Sequence, residues 1–175
     1  MDDDPELAAI KARRIAEIQR AFEAAQANRN RGHGDYTEIG QDDFLKTTTK
    51  SKYVVCAFFH KEFIRCKIVD KHVGLLCKAH QETKFVKCDV EKFPFFVSKL
   101  KVKILPCVVL FVDGVAVDRV VGFEDFGNRD DFTTKQFEKR IWESGVIEDG
   151  QGNRRDPRAA AMKTLVEGEM LGDQL

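Results

Sequence analysis

The feature that most limits what this chain can fold into is an alternation of two apolar periods between residues 36 and 148. Runs of β-branched and aromatic residues take turns with stretches whose apolar positions recur every three or four residues. KYVVCAFF reads as a buried strand, and the stretch from about Phe63 to His80 reads as a helix. KFVKCDV is a second strand, PFFVSKL a short helix and PCVVLFV a third strand. Asp113-Gly114 marks a tight turn, and VAVDRVVG is the strand returning from it. FTTKQFEKRIWESG closes the series as a helix, with Asp131 or Thr133 as its cap and Gly145 near its end. With YTEI and DDFLKTTT ahead of it, the order βαβαββα predicts an α/β fold, a mixed sheet with helices on both faces.

Two segments flank this domain of residues 35–148. Residues 1–34 hold an amphipathic helix and a linker. Asp4 is placed to cap the helix, Pro5 suits the first helical position, and Ile15, Ile18, Phe22 and Ala25 form a narrow apolar stripe. Arg13, Arg14 and Arg20 lie beside that stripe, and Gly32 and Gly34 end the pattern. The stripe suits a helix docked on its own domain or a weak coiled-coil dimer. It equally suits a mobile arm that lays its apolar face in a partner's groove. Residues 149–175 read as a loosely ordered tail, with a short amphipathic stretch around Met162 to Met170.

Charge and apolar content narrow the function classes. The 29 basic residues balance 29 acidic ones, so the broad basic field that attracts nucleic acid or anionic membranes is missing. The opening MDDDPE is acidic where a signal peptide would be basic and then apolar, and the longest apolar run, Ile104 to Val112, is far short of the roughly 20 residues a spanning helix needs. The five cysteines are Cys56, Cys66, Cys77, Cys88 and Cys107; the odd number and apolar settings fit a reducing cytosol better than a disulfide framework. A cytoplasmic location is the expectation, with the nucleus also open. Hydrophobic residues at 43% suffice for a core.

Three local features, in this order, resemble thioredoxin: YVVCAFF running into HKEFIRCK, ILPCVVLF with a candidate cis-proline at Pro106, and the Asp113-Gly114 hairpin leading to Val121-Gly122. GHGDY, FIRCK, ETKFVKCDVEK and VVGFEDFGNRDDFTT carry a closer resemblance, to the thioredoxin-domain proteins of the phosducin-like family. The Arg-rich KARRIAEIQRAF resembles the helix that this family places before its thioredoxin domain. The resemblance implies a non-catalytic binding protein without a cofactor, a co-chaperone or regulator of the cytosolic group II chaperonin in actin and tubulin folding. It also implies that Arg13, Arg14, Ile15, Ile18 and Phe22 are contact residues on an arm.

Thioredoxin chemistry needs two thiols two residues apart at a helix N-terminus, where the first cysteine's pKa is lowered and the second resolves the mixed disulfide. Here the stretch is Phe63-Ile64-Arg65-Cys66: Phe63 stands at the attacking position and only the resolving position, Cys66, keeps sulfur. The thioredoxin carboxylate that assists proton transfer falls at Ala57, and the aromatic before the attacking cysteine falls at Glu62. These losses together point to a remnant redox loop of Phe63, Cys66 and Pro106. Pro106 either keeps a bend the fold needs or preserves a groove without chemistry. Cys66 is either an inert structural thiol or, with Arg65 and Lys67 favouring thiolate, the centre of a monothiol oxidoreductase or redox sensor.

Metal binding is checked on Cys66, His72, Cys77, His80 and Cys88. Cys77 and His80 share a helix face, but eleven residues of helix hold Cys66 about 16 Å from Cys77, and the chain has no Cys-x2-Cys pair. No metal site is expected. Asp130 and Asp131 read as helix-cap and dipole partners, and Lys99–Lys103 as one wet and one buried face.

Overall fold

The computed structural model describes residues 4–157. Its elements are α1 (Pro5–Asn30), β1 (Tyr36–Glu38), α2 (Phe44–Lys50), β2 (Tyr53–Phe59), α3 (Ile64–Ala79), β3 (Lys84–Asp89), α4 (Pro94–Lys99), β4 (Cys107–Val112), β5 (Val115–Val121) and α5 (Thr134–Trp142). The five strands form one sheet in the order β1-β3-β2-β4-β5. β1, β3 and β2 run parallel, and β4 and β5 complete the sheet antiparallel. The alternation in the sequence is thus realised as a mixed sheet.

Strand side chains point alternately to opposite faces, so β2 feeds two cores at once. Val55 and Ala57 join Val69, Val73, Leu76, Phe137 and Ile141 in a layer beneath α3 and α5. Val54, Cys56 and Phe58 join Phe44, Phe93 and Phe96 in the layer beneath α2 and α4. The second layer is dense in rings: Phe44 lies 4.2 Å from Phe96 and meets Phe93 and Phe111 edge-on, at 5.9 and 5.6 Å. Edge-to-face rings add about 1 kcal/mol each beyond their buried area.

The turn and cap chemistry agrees with the sequence. Asp113 and Gly114 both take positive φ, 51° and 79°, the conformation a tight turn between β4 and β5 requires. Asp4 caps α1 by accepting the Glu6 N–H at 3.0 Å. Of the two candidates for α5, Thr133 is the cap; it accepts the Gln136 N–H while Gln136 accepts the Thr133 N–H, a reciprocal capping box. Asp131 instead pairs with Arg129 at 3.4 Å, and Asp130 with Arg65 at 3.0 Å.

Residues 149–157, assigned by sequence to the tail, lie against the domain. The Asn153 carbonyl accepts the Trp142 indole N–H at 3.1 Å, and the Arg154 guanidinium stacks 3.7 Å from the Tyr53 ring. The amphipathic stretch from Met162 to Met170 lies outside the described residues. No helix among the described residues is long and apolar enough to cross a membrane.

Thr133→Ala removes the cap and leaves an orphan donor at the start of α5. It should destabilise the domain by about 1 kcal/mol, read as a lower urea midpoint at unchanged slope.

Candidate functional site

β2 ends at Phe59 and hands the chain to His60-Lys61-Glu62-Phe63, from which α3 begins. Phe63 is the cap residue of α3, extended at φ −92° and ψ 114°, with no side chain to satisfy the free N–H groups. Its carbonyl accepts the Cys66 N–H at 3.1 Å, closing the first turn. Where a nucleophilic thiol would sit, the Phe63 ring is exposed and lies 5.1 Å from the His60 ring. His60 Nδ1 accepts the Glu62 N–H, so the proton is on Nε2, which donates to Glu91 at 3.0 Å. This bonding fixes the loop without any thiol.

Cys66 is 2% exposed. Burial is the largest influence on its thiol and pushes the pKa up; Asp70 acts in the same sense, and the His60 backbone opposes both. Neither Arg65 nor Lys67, which the redox-sensor alternative needs to favour the thiolate, is among the influences on it. Arg65 is committed elsewhere: it pairs with Asp130, donates to the Asn128 carbonyl at 3.2 Å, and lies over the Phe123 ring at 4.9 Å. Ala57 lies within the core layer under α3, where a carboxylate would have to be desolvated. The Leu105–Pro106 bond is cis, as the sequence suggested, and the Pro106 carbonyl accepts the Gly122 N–H at 2.8 Å. That bond ties the proline to the end of β5.

The other sulfur and imidazole groups are absorbed by the core. All five cysteines are free and buried. Burial raises the Cys56 thiol, with Cys88 adding to it, and pushes Cys107 up to about 11. Cys77 donates to the Gly74 carbonyl of its own helix. His72 bonds Thr134 at 2.8 Å and stacks with Phe132 and Phe137. His80 sits between Glu82 and Glu138, each at 3.1 Å. Among the described residues, no three potential metal ligands converge.

The second candidate element is α1. None of its described residues is buried in the domain, which removes the docked-helix reading. Ile15, Ile18 and Phe22 are 57%, 68% and 62% exposed, and Arg13 and Arg14 are exposed beside them. The root of the helix, by contrast, is fixed. His33 is buried; its Nδ1 donates to the Gln81 carbonyl at 2.7 Å, and its Nε2 accepts from Ser51 at 2.8 Å. Lys84 donates to the Gly32 carbonyl at 2.9 Å. Gly32 is required there, since its φ is +84° and a Cβ would lie 2.6 Å from the Lys84 ammonium. Sequence reading gave His33 no role; a lone histidine between two glycines was the available signal.

The thioredoxin family model matches residues 36–135. Thioredoxin domain-containing protein 9 of Mus musculus is 42% identical over 161 residues, 91% of this chain and 71% of that protein. Phosducin-like protein 3 of Dictyostelium discoideum is 44% identical over 84% of this chain and 79% of its own length. The chain belongs to the thioredoxin family, in its phosducin-like group. Thioredoxin domain-containing protein PLP3A of Arabidopsis thaliana is 51% identical over 83% of this chain, which spans 63% of that relative's length. Among solved structures, a mutant thioredoxin from Halobacterium salinarum is similar at a TM-score of 0.55 and 21% identity, covering 66% of this chain and 94% of its own. That likeness concerns the fold.

Two outcomes follow from this geometry. Iodoacetamide should alkylate Cys66 slowly across neutral pH, more slowly than a free model thiol, with no acceleration until above the ordinary cysteine range. His33, whose pKa burial lowers, must stay neutral to hold the root of α1. Its contribution is therefore full above about pH 6.5 and is lost as pH falls through that value toward the lowered folded pKa. His33→Gln should cost about 2 kcal/mol at pH 7.5 and measurably less at pH 5.5, by urea unfolding at both values.

Proposed function

We propose that this chain is a non-catalytic binding protein that acts as a co-chaperone or regulator of the cytosolic chaperonin in actin and tubulin folding, with α1 as its contact arm. The observation that carries the reading is the exposure of the α1 stripe: an amphipathic helix of 26 residues that buries nothing in its own domain has its apolar face free for another surface. Membership of the phosducin-like group supports the choice of partner. The remnant redox loop supports binding over turnover, since Phe63 stands where the nucleophile belongs and the Cys66 thiol is buried and raised.

Anchoring by apolar residues on a helix face concentrates binding energy in a few side chains. Ile15, Ile18 and Phe22 are the anchors on this arm, with Arg13 and Arg14 flanking them. A cytoplasmic location follows from the same reading.

The test is co-elution of the full chain with purified cytosolic chaperonin on size exclusion, under reducing conditions. Phe22→Ala combined with Ile18→Ala should weaken binding by at least about 30-fold, equivalent to about 2 kcal/mol, with the unfolding midpoint of the domain unchanged. Failure of the unaltered chain to co-elute would overturn the partner. Equal affinity in the double variant would overturn the arm. Disulfide-reductase turnover abolished by Cys66→Ser would replace the binding reading with a monothiol enzyme.

A further inference from the structure

At the foot of α1, where the helix meets β1, α2 and the start of β3, lies a pocket of about 360 Å³. That volume is within the range of sites for small molecules. Four cations line it: Arg31 from the end of α1, Lys46 and Lys50 from α2, and Lys84 from β3. Among the described residues on its wall, Asp43 is the one acid. In a chain whose formal charge balances to zero, this is a local excess of three positive charges.

The excess is relieved only in part within the protein: burial lowers the Lys84 pKa, and Asp35, outside the wall, favours its charge from a distance. None of the four cations makes an ion pair among the described residues. Lys46 and Lys50 lie one helical turn apart, and Lys46 is the largest cause lowering the Lys50 pKa, with Arg31 adding to it. Lys84 is 8% exposed, and the Gly32 carbonyl is the one acceptor its ammonium reaches among the described residues. An ammonium carries three donors. A lysine with one acceptor among the described residues, on the wall of a pocket edged by two further lysines and an arginine, favours a negatively charged ligand there.

The rest of the wall narrows the ligand. Thr37 and Thr47 add hydroxyls that can donate to phosphate oxygens, the Ser51 proton being committed to His33, and among the described residues Ile39 is the sole large apolar residue of the wall. Among the described residues no aromatic ring lines the pocket, so none of them stacks on a nucleobase there. We propose that this pocket binds a compact, multiply phosphorylated group of the inositol-polyphosphate type, held by Arg31, Lys46, Lys50 and Lys84. Because Arg31 belongs to the root of α1 and the lysines to the domain, such a ligand clamps the root. Binding there does not depend on which partner α1 meets.

The test is calorimetric titration of the full chain with inositol hexakisphosphate at 0.15 M salt, beside tripolyphosphate and adenosine triphosphate. Saturable one-to-one binding is expected, weakened at least about tenfold by Lys46→Gln with Lys50→Gln, whose side chains are exposed and leave the core intact. Lys101→Gln with Lys103→Gln removes the same charge from another exposed stretch and should change the affinity less than about twofold. Adenosine triphosphate should bind no tighter than tripolyphosphate. Flotation with vesicles carrying phosphatidylinositol 4,5-bisphosphate separates the sources: co-flotation that the soluble hexakisphosphate reverses assigns the group to a lipid headgroup, and none assigns it to a free ligand. Absence of saturable binding, equal loss in both double variants, or a marked preference for the nucleotide would overturn the proposal.

Discussion

Everything in this molecule is arranged around β2. It pairs with β3 on one side and β4 on the other, so its backbone groups are spent within the sheet, and its side chains are buried on both faces. A strand in that position has no wet side and no free edge. Helices must therefore cover both faces, and the two phenylalanine-rich layers meet that requirement from opposite directions. The functional loops are what is left over at the ends of this strand: His60 to Phe63 at one end, and Ser51, which holds His33, at the other.

This division explains how Phe63 can stand where thioredoxin has its attacking thiol while the fold stays whole. The sheet draws on the loop for little more than the first turn of α3 and the tie from Pro106 to Gly122. The bonds around His60 keep the loop ordered without a reactive sulfur. Cys66 has passed to the interior, where a thiol packs as a small apolar group. The chemistry of a thioredoxin site is a light load on its scaffold, and this scaffold carries a phenylalanine in its place.

Most of the domain was legible in the sequence because its signals are local. A run such as YVVCAFF is too apolar to be an edge, Asp-Gly specifies its turn, and the cap of α5 is narrowed to Asp131 or Thr133. The departure from the dithiol pattern at Phe63 was equally plain. What sequence order did not reveal were the contacts between residues far apart in the chain. Arg65 looked like a neighbour able to activate Cys66, yet Asp130 and Asn128 draw it away. His33 gave no hint of Ser51 and Gln81, and Lys46, Lys50 and Lys84 come together with Arg31 only once α2 and β3 are placed side by side. Whether α1 lay on the domain was likewise a question of exposure, which its stripe alone could not answer.

The contrast between the two ends of α1 has a mechanical consequence. Its 26 residues make a rod of about 39 Å, fastened at Gly32 and His33 and bare along its length. Fastened at one end only, it works as a lever with a short fulcrum. A tilt of about 10° at the glycine pair sweeps the far tip through about 7 Å, more than the pitch of one helical turn. Small changes in the bonding of one buried imidazole are thereby magnified at the tip, at no cost to the sheet below.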